Sequence, residues 1–479
     1  MPAYSQSLIL VLLLSVALFA CASDVLAGGE FLVSIPELNT FNNLQPTNCT
    51  GISNFVNAPT YISTTLIERL TNLRQNIHKN AELPGEEAET SERIKNFVTE
   101  FLPDDSVVNV GGHGMLFLFK LGRERPGRKV VLFRADMDGL PIQESDLSVS
   151  KLNNYKSVHP NIFHGCGHDG HSAVVAGMAS VVQSIRQKYQ NDTDALNGDI
   201  ILLFQPAEET GAGATAMKND PKFTAFDNGI INRVDAAFAL HNLPGHDFGK
   251  VLLKRGTFAA ASKGVRIELR GETSHAAQPE KGRSPAGALS KIISDLEDLA
   301  FKGRNRLLPQ YRDFILLTVV HAHLGGSDVA YGTTPGEARV MVTVRTYLDE
   351  DMDTLVQEVR NIVSKACESL LIESEMSFSD EFYATRNEPE NTSTDKSLIE
   401  LVRTSAEENN LQSIEMHEPF RWSEDFGNFQ FKGTTYFAIG SGVDHPSLHN
   451  DDYDYPDELT LPALSMFARL AEKLVVNKV

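Results

Sequence analysis

Short apolar runs of strand length, separated by helical stretches, constrain this chain more than any other feature. Lys129–Arg134, Asp199–Phe204 and Val234–Leu240 are such runs, and Ser172–Gln190 reads as helix. The pattern predicts an α/β fold: a mostly parallel mixed sheet with helices on both faces. Each run stops in a polar cluster: Arg134-Ala135-Asp136-Met137-Asp138, Gln205-Pro206-Ala207-Glu208-Glu209, and His241-Asn242. Ligands in open α/β sheets bind beyond the carboxyl ends of the strands. Three strand ends are therefore predicted to deliver Asp, Glu and His to one edge. Ile62 to Leu102 reads as two amphipathic helices around a loop at Leu83-Pro84-Gly85, and Thr435–Ile439 as a further strand.

Between about 261 and 383 the pattern changes. Lys263–Leu269 alternates as a strand, and Ser284-Pro285 opens a helix with Ser as N-cap, its apolar face formed by Leu289, Ile292, Ile293, Leu296 and Leu299. Strands near Phe314–His321 and Arg339–Tyr347 follow. A second helix is predicted to bury Leu355, Val359, Ile362, Val363, Ala366 and Leu370 before a last strand near Glu375–Phe382. That is βαββαβ, a ferredoxin-like unit inserted between residues 28–260 and 384–479 of a larger domain. Its edge strand and amphipathic helix suit pairing across a two-fold axis, so a homodimer is expected.

Charge and hydropathy narrow the function classes. Forty-three Lys and Arg against 63 Asp and Glu give a net charge of -20, which repels phosphate backbones and argues against nucleic acid. No apolar run after residue 27 approaches the ~20 residues of a bilayer span. Leu8 to Ala22, followed by small residues at Ala27-Gly28-Gly29, resembles a secretory signal over residues 1–27. Sequons at Asn48, Asn191 and Asn391 are compatible with a secreted glycoprotein or one in the secretory-pathway lumen. If Cys21 leaves with the leader, Cys49, Cys166 and Cys367 are too few for a disulfide scaffold. Cys367 falls on the apolar face of a helix and reads as core.

Cys166-Gly167-His168-Asp169-Gly170-His171 carries the chemistry. A soft sulfur and imidazoles in so short a space suit zinc or a similar transition metal better than calcium or magnesium. A dinuclear hydrolytic site also needs about five or six ligands, one of them bridging, and a free carboxylate to take a proton from water. Cys166, His168, Glu208, Glu209, His241 and His449 supply that inventory, one adjacent Glu coordinating and the other acting as base. The rivals are weaker. Gly211-Ala212-Gly213 is separated from its strand, unlike a dinucleotide fingerprint, and no Gly-x-Ser-x-Gly elbow is present.

Arg134-Ala-Asp136-Met-Asp138-Gly-Leu-Pro-Ile-Gln-Glu144, His164-Gly-Cys166-Gly-His168-Asp-Gly-His171, Gln205-Pro-Ala-Glu208-Glu209 and Ser274-His275-Ala-Ala-Gln-Pro279 resemble the motifs of hippurate hydrolases and auxin-conjugate amidohydrolases. These are a branch of the aminoacylase and zinc carboxypeptidase clan, and the resemblance runs from about 62 to 472. It implies two divalent ions per subunit, Zn2+, Mn2+ or Co2+, with Cys166 bridging and His168, Glu209, His241 and His449 as terminal ligands. It further implies Glu208 as general base, Asp138 and Asp136 behind the metals, and His275 stabilising the oxyanion, in relatives often across a dimer. Glu424-Asp425-Phe426 matches a motif near the site, and Arg345 a position associated with the substrate carboxylate. The Leu448-His449-Asn450 context favours His449 over His445 as the last ligand. Gly332 replaces a usual Asn, and Ser274 a common Gly, so substrate choice is open. The implied reaction is amide hydrolysis of N-acyl amino acids or amino-acid conjugates. A carboxypeptidase or dipeptidase activity and an inactive binding or scaffold relative are the alternatives.

Overall fold

The computed structural model describes residues 56–326, 330–387 and 397–477. The leader-like segment, Cys21, Cys49 and the sequons at Asn48 and Asn391 fall outside them. Helix Thr64–Lys79 is capped by Ser63, whose hydroxyl accepts from Leu66 N at 3.1 Å, and Ala88–Thr99 is the second helix. The strands then run β1 (Asp105–Val110), β2 (Gly114–Leu121), β3 (Lys129–Asp136), β4 (Gly198–Gln205), β5 (Ala236–Pro244), β6 (Val251–Leu253) and β7 (Thr257–Ala259). Next come β8 (Ala261–Arg270), β9 (Ser274–His275), β10 (Ile315–Leu324), β11 (Thr333–Thr334), β12 (Glu337–Thr346) and β13 (Glu373–Phe382). The last are β14 (Thr385–Arg386), β15 (Ser413–Glu415) and β16 (Thr434–Gly442), before a closing helix at Thr460–Val475.

The main sheet has the order β1-β2-β4-β3-β5-β16-β6-β15. Its centre, β4-β3-β5-β16, is parallel, while β1-β2, β2-β4 and β16-β6 are antiparallel. Both faces are buried, which is why the central strands read as continuous apolar runs. Successive residues nevertheless alternate between two cores. Val131, Phe133, Ile200, Leu202 and Phe238 pack with Leu70, Val174 and Phe467 on one face, and Leu132, Ile201, Leu203 and Ala237 pack with Met217 and Phe429 on the other.

Several elements differ from the sequence-based expectation. The β1-β2 hairpin was not anticipated, because β1 is polar and largely exposed. The long helix begins at His168 rather than Ser172. His241 and Asn242 lie inside β5, not after it, because pairing with β16 continues to Pro244. Pro285 rather than Ser284 bounds the helix Ala286–Arg304. The helix Asp349–Glu368 ends before Leu370, which is exposed instead of buried.

β8, β10, β12 and β13 form a separate antiparallel sheet of order β10-β12-β8-β13. Helices Ala286–Arg304 and Asp349–Glu368 pack against it around Val265, Ile267, Ile292, Val340, Val342, Leu355 and Val359. The strand-helix-strand-strand-helix-strand order is ferredoxin-like.

A largely buried charge network ties three distant segments together. Arg74, on the first helix, donates to Asp454 at 2.7 Å and Asp457 at 2.6 Å and lies 3.4 Å from Asp169, beside His168. Tyr155 donates to Asp454 at 2.5 Å. His78 hydrogen-bonds Asp169 at 3.0 Å and Glu144 at 3.2 Å. Burial alone would lower the pKa of His78, but these carboxylates outweigh it and raise the pKa to about 10.

Two outcomes follow from this network. Arg74→Met removes the guanidinium shared by Asp169, Asp454 and Asp457, leaving only His78 beside them, and is predicted to cost ~3–5 kcal/mol in urea unfolding; a loss within error of zero would contradict the role. The His78 contribution is full below its unfolded pKa of 6.5 and is lost as pH rises through about 10. Wild type should therefore lose stability across that window more steeply than His78→Gln.

Candidate metal centre

Strand ends and one helix start build the site. Cys166 directly precedes the helix His168–Lys188, and Gly167 between them adopts a left-handed φ of 94°. A Cβ there would collide with Asn242 Oδ1, so only glycine lets the backbone pass beneath the amide. Glu208 and Glu209 follow β4, after Ala207 at a positive φ of 51°. Ala207 N donates to the buried Glu87 carboxylate at 2.8 Å, which fastens this turn. His449 likewise has a positive φ, 65°, and its N–H donates to Gly165 O at 2.8 Å. Two non-glycine residues held in this sparsely populated region at one site are consistent with backbone strain retained for function.

The donor atoms of Cys166, His168 and His241 lie within 4.8 Å of one another, as do those of Cys166, Glu209 and His449, and of His168, Glu208 and Glu209. Cys166 belongs to the first two triads. The ring hydrogen bonds assign the imidazole lone pairs. His168 Nδ1 donates to the Asp138 carbonyl at 3.0 Å and faces its carboxylate at 3.1 Å, and His241 Nδ1 donates to Asn242 O at 2.7 Å. Both therefore present Nε2 to the focus, the arrangement expected of metal-binding histidines. His241 Nε2 is 3.4 Å from Cys166 Sγ, and His449 Nε2 is 3.3 Å from Glu209 Oε1. His168 Nε2 and Glu209 Oε1 are buried without a well-directed hydrogen bond. Unsatisfied donors of this kind, beside a sulfur, fit divalent transition-metal ions.

Other groupings lie as close together, among them Asp136-His168-His171 and His78-Asp169-Asp454. In these, His171 already bonds Asp136 at 2.7 Å, and His78 bonds Asp169 within the Arg74 network, so their members largely satisfy one another.

Charge is concentrated behind the donors. Arg134 is buried and pairs with Asp136 at 2.7 Å, Glu424 at 2.8 Å and Asp425 at 3.0 Å. Asp425 also accepts from Gln205 and Ala214 N, while its own N–H points at Glu208 Oε1 from 3.4 Å. Asp138 accepts from Glu209 N at 2.9 Å. Burial, then the Glu424, Glu209 and Asp425 carboxylates, raise the Glu208 pKa well above the ordinary range. Burial and Glu209 push the Cys166 thiol up.

The structure thus brings together Cys166, His168, Glu208, Glu209, His241 and His449, with Asp136, Asp138 and Asp425 against them. His445 stands outside, its ring edge-on to Tyr453. Arg345, half-buried, donates to Arg421 O at 3.1 Å and Ser423 Oγ at 2.7 Å and pairs with no carboxylate among the described residues. His275 is exposed on the inserted unit; its Nδ1 accepts from Ala277 N at 3.0 Å, and its strand pairs with Thr333. An open groove of about 990 Å³ lies nearby, lined by Thr273, Leu324 and Thr333–Glu337 and by none of the donors. His171 and Asn242 stand in the polar clusters that the sequence singled out, without a role assigned to either, whereas Glu87 and Trp422 meet the site only through tertiary packing.

Residues 132–473 match the model of peptidase family M20/M25/M40. A hippurate hydrolase of Campylobacter jejuni is 30% identical over 404 residues, covering 84% of this chain and 95% of the relative. An N-acetyl-L-cysteine deacetylase of Bacillus subtilis is 30% identical over 380 residues, covering 77% and 81%. Among solved structures, a dinuclear metal-binding peptidase of Bacillus subtilis superposes with a TM-score of 0.66 at 23% identity, covering 86% of this chain and 99% of that one. Family match and relatives agree: the chain belongs to peptidase family M20/M25/M40 and is a hydrolase that acts on amide bonds.

Proposed function

We propose that this protein hydrolyses N-acyl amino acids, using two divalent ions held by Cys166, His168, Glu209, His241 and His449. The observation that carries the reading is the sharing of Cys166 between two donor triads, with Glu208 beside them and outside both. The names of the two 30%-identical relatives, acting on hippurate and on N-acetylcysteine, support an N-acyl amino acid as substrate. The ions would supply Lewis acidity toward the amide carbonyl and toward water. Zn2+, Mn2+ and Co2+ all suit one thiolate with imidazole and carboxylate donors.

The chain's own groups do the rest. Glu208 takes a proton from the attacking water; the C–N bond breaks, and the same carboxyl returns the proton to the leaving nitrogen. Burial and the Glu424, Glu209 and Asp425 carboxylates raise its pKa, whereas His449 and His168 outweigh burial and lower that of Glu209, so Glu208 is the more basic of the adjacent pair. Asp138 keeps His168 in one tautomer and orients Glu209 through its backbone N–H. Arg345, a guanidinium without a paired carboxylate among the described residues, receives the substrate carboxylate. His275 would donate to the oxyanion. Its contacts lie within its own unit and it faces solvent, which supports its entering the site of a second subunit in a homodimer.

Glu208→Gln is predicted to lower kcat by about 10²–10⁴-fold while metal content, read by plasma emission, stays at the wild-type level; near-normal turnover would refute the base. His275→Ala is predicted to cost about 10²–10³ in kcat. Mixed dimers of His275→Ala and Glu208→Gln subunits should regain activity, because one of their two sites is complete. Absence of recovery in mixed dimers, or a monomer by light scattering, would contradict the shared site.

A further inference from the structure

Arg345 and the donor cluster account for a carboxylate and a carbonyl, and leave the choice of acyl group unassigned. One unassigned side chain stands beside the donors. The chain has a single tryptophan, Trp422, whose ring centroid is 5.6 Å from that of His241. It stacks on Phe420 at 5.1 Å with 27° between the planes, and Phe258 meets it edge-on at 5.9 Å. Phe258 is fully buried, whereas Trp422 is only half-buried, so part of the indole surface is left uncovered. The segment carrying it is fixed. Ala260 N donates to Trp422 O at 3.0 Å, and Arg345 holds Arg421 O and Ser423 Oγ on either side of it in sequence.

Resting on the N-acyl amino acid reading above, we propose that Trp422 is the specificity-determining residue for the acyl half of the substrate, its indole stacking a planar aromatic or bulky apolar acyl group. The carbonyl carbon must react at the donor cluster, which includes His241. The acyl substituent is one bond from that carbon, and a large apolar surface against the His241 ring is the indole. Arg345, reaching the residues on both sides of Trp422, fixes the segment that presents the indole. Indole is the largest aromatic surface a side chain offers, and offset stacking adds to its apolar burial. An acetyl group is too small to cover it. A packing role alone would lower stability and affect all substrates equally; a platform changes the ratio between them.

Kinetics and fluorescence test this together. Trp422→Ala should lower the ratio of kcat/KM for N-benzoylglycine over N-acetylglycine by about tenfold or more, mainly through KM, and Trp422→Phe, which keeps a flat ring, should restore most of it. An unchanged ratio, or an equal fall for both substrates, overturns the proposal. Should Trp422→Ala fail to fold, wild-type holoenzyme gives the answer, because all tryptophan emission comes from this residue. N-(4-nitrobenzoyl)glycine should quench it saturably, N-benzoylglycine should displace the quencher, and N-acetylglycine should do so only at far higher concentration. Turnover of N-benzoylglycine without saturable quenching overturns the platform alone. Saturable quenching without hydrolysis of any N-acyl amino acid overturns the reaction and supports the platform.

Discussion

Uncompensated negative charge is the constraint from which the site follows. Asp136, Asp138, Glu208, Glu424 and Asp425 are buried within one neighbourhood, with Glu209 nearly so, and Arg134 is the one guanidinium paired among them within the described residues. Buried carboxylates in such excess are costly unless paired, protonated or bound to cations. Two divalent ions would relieve that cost and, in the same act, occupy the unsatisfied His168 Nε2 and Glu209 Oε1. Stability and chemistry then meet in one cluster, because the carboxylates that would bind cations also surround Glu208.

Rigidity of the donors comes from elsewhere. His168 is oriented by Asp138 after β3, and His241 by the carbonyl of its own neighbour in β5. Asn242 accepts from His171 at 2.7 Å, and His171 bonds Asp136 at 2.7 Å, so the residue that follows His241 is tied to the helix that carries His168. Behind that, Arg74 and His78 clamp Asp169 to Asp454, linking the helix that starts at His168 with the segment that follows His449. Metal ligands separated by nearly three hundred residues are thereby tied into one hydrogen-bonded framework.

Much of this was legible in the sequence. The three apolar runs appear as β3, β4 and β5, and their polar ends meet at one edge, because strand direction and the rule for ligand sites in open sheets are local to the pattern. The hairpin β1-β2 was not legible, since β1 is stabilised by pairing with β2 rather than by its own apolar alternation. Nor was the Arg74 network, whose partners Asp454 and Asp457 lie some 380 residues away in the chain, nor the stacking of Trp422 beside His241. Such contacts arise from tertiary packing, and no spacing rule announces them.

X-ray absorption at the metal edge of the purified protein tests the central claim most directly. A sulfur scatterer, at about 2.3 Å for zinc, and a metal–metal vector of about 3.5–4 Å are predicted, with the sulfur shell lost in Cys166→Ser. A spectrum containing only nitrogen and oxygen neighbours and no second metal would contradict a thiolate-bridged pair of ions.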